Sequence, residues 1–256
     1  MKTIGSTIIM LALASSLFAD NGKELKLASP DGTHEIVFYQ KQVSPAVNEL
    51  CYRVDYKSQP VVNESRAGLE LDNRIWEMAL GVRNLKQPAC WMDNLEVDSV
   101  TYQPETNLTW QPLYGERSSV RDHYRAGTLC LSKKDNSGYR LNIEVRAYNE
   151  GVAFRYFFPE HPKAIFHKVV GDLTEYALPA GTKAWTEQWA QAFFERLNID
   201  DIKHPVERAL TFELPNGKWA ALADADVDDW CLTKYLVSTD KKNTLTSVMY
   251  LSLIHI

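Results

Sequence analysis

The 256-residue chain has no basic run, no C-x-x-C pair and no apolar stretch approaching the roughly 20 residues of a membrane span. Each absence removes a class of function. With 28 Lys and Arg against 33 Asp and Glu, the formal charge is −5. Neither nucleic acid nor an anionic membrane surface fits as a partner for such a chain. The catalytic templates G-x-S-x-G, H-E-x-x-H, the P-loop and Cys/His zinc spacing are all missing. The six histidines (His34, His123, His161, His167, His204, His255) stand apart from one another and are expected to be mostly solvated. Cys51, Cys90, Cys130 and Cys231 are widely spaced. An exported chain permits disulfides, but connectivity cannot be read from spacing. Each cysteine has apolar or aromatic neighbours, so they are read as small buried hydrophobes.

Both termini differ from the rest. Lys2 precedes the apolar run Ile8-Ile9-Met10-Leu11-Ala12-Leu13-Ala14, and Ala19 precedes the polar start at Asp20. A charged n-region, a short h-region and a small residue form a secretory leader, expected over residues 1–19, with Ala14 as the alternative cleavage point. No cysteine follows the h-region to accept a lipid, so a soluble, exported protein is expected. At the other end, "LSLIHI" (251–256) matches one frame of a sequencing-library adapter and is expected to be a non-native tail. The alternative is an ordinary strand. Residues 20–250 are then expected to form one β-sandwich domain.

What is present is β pattern. "YRLNIEVRAY" (139–148) alternates, with Leu141, Ile143, Val145 and Ala147 on one side and Arg140, Asn142, Glu144 and Arg146 on the other. Period two over that length marks a half-buried antiparallel strand. Similar runs recur at 34–40, 49–56, 68–72, 95–102, 127–133, 152–158, 164–170, 208–215 and 218–224. Turn chemistry separates them at 29–32, 135–138, 178–181 and 214–217. Many short strands punctuated by Gly and Pro predict an all-β antiparallel sandwich. Residues 189–202 are the one weak helical stretch, with a loop as the alternative.

Two local features carry competing readings. In "VAFRYFF" (152–158), pleating places Ala153, Arg155 and Phe157 on one face. A buried guanidinium needs a hydrogen-bonded partner, so Arg155 is expected to pair with Glu116 or Glu144 inside the domain. The alternative leaves Arg155 in solvent with Phe157 partly exposed. In "DADVDDW" (224–230), Asp224, Asp226, Asp228 and Asp229 could present oxygens to calcium. An EF-hand loop, however, needs Gly at its sixth position and Glu at its twelfth, where this chain has Asp229 and Tyr235. A solvated loop face or the rim of a site remains.

Five segments in order resemble the N-terminal domain of glycoside hydrolase family 97. They are "SPDG" (29–32), "SRAGLEL" (65–71), "TWQPLYGERSSVRDHY" (109–124), "VRAYNEGVAFRYFFP" (145–159) and "TEYALP…AWTEQWAQAFFE" (174–195). The resemblance implies a large mutarotase-like β-sandwich that packs on a catalytic (β/α)8 barrel, which would lie beyond this chain. It further implies a periplasmic enzyme hydrolysing α-linked glucosides or galactosides, with calcium held by barrel carboxylates and one glutamate from the sandwich. By position that glutamate is Glu195. Trp189 and Phe194 are expected on the substrate rim, with Trp185 and Phe193 also around Glu195. The sequence departs from the pattern at Asp224, where the family often has glutamate, and at Phe194, where tyrosine is usual. No catalytic residue is assigned to this chain, because glycoside hydrolysis needs two carboxyl groups flanking the bond. Two other readings stay open. One is a free-standing carbohydrate-binding sandwich. The other is a mutarotase-like enzyme, which would need a His/Glu pair on a concave face where no pair stands out.

Overall fold

A computed structural model describes residues 23–44, 47–72, 95–133, 138–160, 167–228 and 230–250. The expected leader (1–19), the tail (251–256), Cys90, Asp229, His161, His255 and the first half of the expected strand 164–170 lie outside the described residues.

The alternation recognised in the sequence builds antiparallel sheets throughout. The first holds β1 (Glu24–Ala28), β2 (His34–Ser44), β3 (Val47–Tyr56) and β4 (Gln59–Arg66) in sequential order. β5 (Leu69–Leu71) follows. The second sheet contains β6 (Leu95–Tyr102), β7 (Thr106–Trp110), β8 (Val120–Lys133), β9 (Arg140–Tyr148) and β10 (Gly151–Phe157). Its order is β10-β9-β8-β6, with β7 also paired to β8. β11 (Val169–Asp172) pairs with β5. The remaining strands are β12 (Glu175–Ala177), β13 (Lys183–Thr186), β14 (Glu195–Asn198), β15 (Leu210–Glu213), β16 (Trp219–Leu222), β17 (Leu232–Val237) and β18 (Thr244–Tyr250). They form the sheets β12-β18-β17 and β14-β13-β15-β16.

β1 and β2 lie across β8, β9 and β10, which makes these two sheets the halves of a sandwich. Leu141, Ile143, Val145 and Ala147 are buried as the alternation requires, facing Leu25, Leu27, Ile36 and Phe38. Fully burying one such aliphatic or aromatic side chain is worth about 1.5–3 kcal/mol. Phe38, Tyr52 and Phe154 bridge the two layers, with ring centroids 5.1–5.3 Å apart. At Gly127 a Cβ would sit 3.1 Å from the Leu25 Cδ1, so the close approach of β1 to β8 favours glycine there. The same apolar cluster continues through Leu210, Phe212, Tyr235 and Leu245, so the smaller sheets share the core of the sandwich. Two of the motif segments also meet: the Asp31 N–H in the β1–β2 turn donates to the Asn149 Oδ1 in the β9–β10 turn at 3.0 Å.

The structure corrects several expectations. Arg155 does pair with Glu144, at 2.7 Å, because the register Tyr148↔Gly151 sets these two opposite each other. The pair is not buried, however. β10 is an edge strand whose outer face is uncovered, and the Arg155 side chain is 64% exposed beside a partly exposed Phe157. The stretch 189–202 is not an α-helix but a turn, strand β14 and a short 3-10 helix at Ile199–Asp201. Of the described cysteines, all free, Cys51 is buried and its thiol pushed up to about 11 by desolvation, whereas Cys130 and Cys231 are only partly covered. The described histidines are less solvated than expected. His34 and His167 lie against the rings of Tyr56 and Phe158, His123 bonds Glu105, and only His204 is exposed.

Candidate functional site

The stretch expected to carry function is the connection between β13 and β14, residues 187–194. Its base is held from below by a buried ion pair. The Lys234 Nζ lies 2.7 Å from the Glu207 Oε1 and donates to the Gln188 carbonyl at 2.9 Å, with only 7% of its side chain exposed. The Glu207 N–H donates to the Glu187 carbonyl at 2.9 Å, so both ends of this pair grip the start of the connection. A turn closed by Ala192 N–H to the Trp189 carbonyl (2.8 Å) then throws the aromatics outward. Trp189 and Phe194 are more than half exposed, and Phe193 is 95% exposed. Nothing in an isolated sandwich stabilises bare rings of this size in water.

Glu195 opens β14 directly opposite Thr186. Opposed residues in an antiparallel pair project to the same face. Glu195 therefore shares the core-facing side of its sheet with Thr186 and Leu197, but at the end, where it reaches solvent. There it lines an open cavity of about 220 Å³ with Gln188, Phe193, Lys203 and His204. Phe193 and Glu195 are thus brought together, and Trp189 and Phe194 are exposed neighbours on the same connection rather than part of the wall. Trp185 is not part of this group. It is one residue before Thr186, so the pleat turns it to the opposite face of the sheet. Lys203 and His204 had no motif to mark them. They reach the cavity because the 3-10 helix at Ile199–Asp201 bends the chain back over it.

The chemistry this cavity supports is limited. It offers one carboxylate, so it cannot supply the acid and base or nucleophile of glycoside hydrolysis. Among the described residues no three His, Cys, Asp or Glu side chains converge on a point. A lysine shares the wall with the carboxylate. Calcium takes about 6–8 oxygen ligands, so Glu195 has the right donor chemistry for one ligand of such a shell and no more. In the acidic segment 224–228, Asp226 and Asp228 are exposed, as a solvated loop requires. Asp224 instead turns toward the Arg208 Nε at 3.6 Å.

A second concentration of polar groups is largely covered and hydrogen-bonded among its members. The Gly68 N–H donates to the Tyr156 hydroxyl at 2.7 Å, and that hydroxyl meets the Thr174 Oγ1 at 2.7 Å. The Asp172 Oδ1 accepts from both the Thr174 N–H (2.9 Å) and Oγ1 (2.6 Å). Hydroxyl protons can run in one direction along this chain, ending on the carboxylate. Burial raises the Asp172 pKa above its ordinary value, opposed in part by the Thr174 bonds. The network ties β5, β10 and β11 together and is structural in its connections.

The family profile described as Glycosyl-hydrolase 97 N-terminal matches residues 27–251. A retaining alpha-galactosidase of Bacteroides thetaiotaomicron is 23% identical over 94% of this chain and 34% of its own length. A glycoside hydrolase family 97 enzyme from a Pseudoalteromonas strain, solved with panose and with acarbose, superposes with a TM-score of 0.74 at 22% identity, over 88% of this chain and 32% of that one. A beta-arabinopyranosidase superposes at 0.71 and 16% identity, over 90% of this chain and 36% of that one. The chain therefore spans about a third of the length of the relatives it matches. With a matched profile over most of its residues and an all-β sandwich of the same fold, this chain belongs to glycoside hydrolase family 97, as its N-terminal domain.

Proposed function

We propose that the chain is the non-catalytic sandwich of an exported, periplasmic α-glycosidase acting on α-linked glucosides or galactosides. In this reading the connection 187–194 docks against a catalytic barrel in the same polypeptide. Glu195 contributes one oxygen to a calcium ion whose other ligands come from the barrel, and Trp189 and Phe194 border the bound sugar. The observation that carries the reading is the anchored connection ending at Glu195, whose aromatic side chains are more than half exposed. Bare apolar surface on a rigid base is what a docking element needs. Leu113 and Tyr114, almost completely exposed in the β7–β8 connection, offer a further apolar contact for the same barrel.

Calcium affinity follows the number of charged ligands and the rigidity of the site. The sandwich alone is therefore expected to bind calcium negligibly. In the full-length enzyme, Glu195→Gln is expected to weaken calcium binding and lower turnover while leaving the stability of the isolated sandwich unchanged. Calorimetric titration of calcium into full-length wild type and Glu195→Gln decides it, and equal affinities would remove Glu195 from the site.

A further inference from the structure

The sheet that ends in Glu195 has a second face. Arg196 pairs with Trp185, Trp185 with Thr211, and Thr211 with Ala221. One pleat along, Asn198 pairs with Lys183, Lys183 with Glu213, and Glu213 with Trp219. Opposed residues share a face, so all eight side chains project outward, away from buried Ala184, Leu210 and Phe212. Trp185 is 40% exposed and Trp219 57% exposed on this face. From the register, the two tryptophans stand two strands and two residues apart, a separation of about 12 Å. The small residues Thr211 and Ala221 occupy the next two positions beyond Trp185 in its row.

Between the tryptophans lies an ion pair. Arg196 on β14 reaches across β13 to hydrogen-bond Glu213 on β15, and both side chains stay partly exposed. The face therefore runs as aromatic, hydrogen-bonding pair, aromatic, without depth. A pyranose ring has a matching division, an apolar C–H face and a hydroxyl edge. A protein partner would have to strip water from the Arg196–Glu213 pair, a desolvation penalty that offsets the pair's own attraction. A sugar hydroxyl can instead replace that water bond for bond.

We propose that this outer face is a carbohydrate-binding platform for a short oligosaccharide; the choice of α-linked hexoses as its sugars rests on the substrate class proposed above. Two rings of the sugar stack on Trp185 and Trp219, and hydroxyls between them bond Arg196 and Glu213. The platform is separate from the Glu195 cavity, which opens from the opposite face of the same sheet, and its function does not depend on the role given to Glu195 above.

The test uses the chain labelled with 5-fluorotryptophan, whose seven tryptophans are assigned by single Trp→Phe substitutions. Maltotriose and raffinose are titrated separately while the fluorine spectrum is recorded. The expected result is a saturable shift of the Trp185 and Trp219 signals with at least one of the two sugars. Trp219→Ala is expected to weaken binding roughly tenfold, the scale of one lost stacking ring, and Trp110→Ala, at an exposed tryptophan on β7 in another sheet, to leave it unchanged. Both tryptophans are solvent-facing, so a thermal midpoint equal to wild type shows that the variants fold. Trp185 and Trp219 signals unmoved by either sugar would overturn the proposal. Loss of binding in Trp110→Ala would move the site to that other sheet and overturn it equally. Shifts on dilution without sugar would identify the face as an interface between two copies, which also refutes it.

Discussion

Replacing Lys234 by Met tests whether the aromatic connection is held by the ion pair beneath it. The substitution keeps the length of the side chain and removes its charge. It leaves the Glu207 carboxylate, whose side chain is 15% exposed, without its cation, and the Gln188 carbonyl without its donor. The Lys234 Nζ also stands 4.4 Å from the centre of the Tyr250 ring, an attraction the thioether replaces only in part. An uncompensated charge at such depth costs about 3–5 kcal/mol. In a domain of this size each kcal/mol moves the thermal midpoint by about 2–4 °C, so the expected fall is roughly 6–20 °C. Calorimetry measures it, and hydrogen exchange locates it: the amides of 188–194 should lose protection before those of β9. The double variant Lys234→Met/Glu207→Leu removes both charges and is expected to recover most of the loss. A single-variant loss under about 1 kcal/mol, the range of exposed pairs, would refute the argument. So would a double variant no more stable than the single.

Two further perturbations follow from the exposure and protonation of particular groups. Arg155→Ala breaks a cross-strand pair that is 64% exposed on its arginine side, so the expected cost is about 0–1 kcal/mol. A denaturation midpoint corresponding to more than about 2 kcal/mol would show that the pair is buried after all. Asp172 has a folded-state pKa above its unfolded one because burial penalises the anion. The folded state then holds that proton more tightly, so the contribution of Asp172 is fully present below the unfolded pKa and is lost as pH rises through the folded pKa. Asp172→Asn removes this dependence. The stability of the variant relative to wild type should therefore grow as pH rises from acid through the folded pKa of Asp172 and level off above it. Parallel urea-unfolding profiles for the two proteins across that range would sink the assignment.

How much of this was legible depended on whether one strand or several had to be known. β9 was readable alone, because Leu141, Ile143, Val145 and Ala147 alternate within one segment and all are buried. The Arg155–Glu144 partnership was readable as well, since a two-residue turn at Asn149 and Glu150 fixes which residues of a hairpin oppose each other. Its exposure was not, because being an edge strand is a property of the whole sheet. The strands β13 to β16 are only four residues each, and β12, β14 and β17 gave no clear alternation that separated them from loops. Lys234 and Glu207 come from segments 27 residues apart with no motif linking them, and only the packing of β17 under the 187–194 connection brings them within 2.7 Å. Asp224 was readable as part of an acidic segment but not as the member turned inward toward Arg208.

The most instructive miss is the placement of Trp185 with Glu195. The two lie close in the sequence and both fall in the motif segment 184–195, so the motif treats them as one cluster. The register separates them. Thr186 opposes Glu195 and is buried, so Trp185, its neighbour, must point the other way, and Arg196, the neighbour of Glu195, must point the same way as Trp185. A single step along either strand therefore crosses from the cavity side to the platform side. This makes adjacent positions chemically independent. Glu195 can be altered without touching the Arg196–Glu213 pair, and Arg196 without touching the wall of the cavity. Two binding faces built on one four-stranded sheet need no extra domain. They need only a strand whose alternate residues are both left uncovered, and β14, at the edge of its sheet with three of four residues exposed, meets that condition.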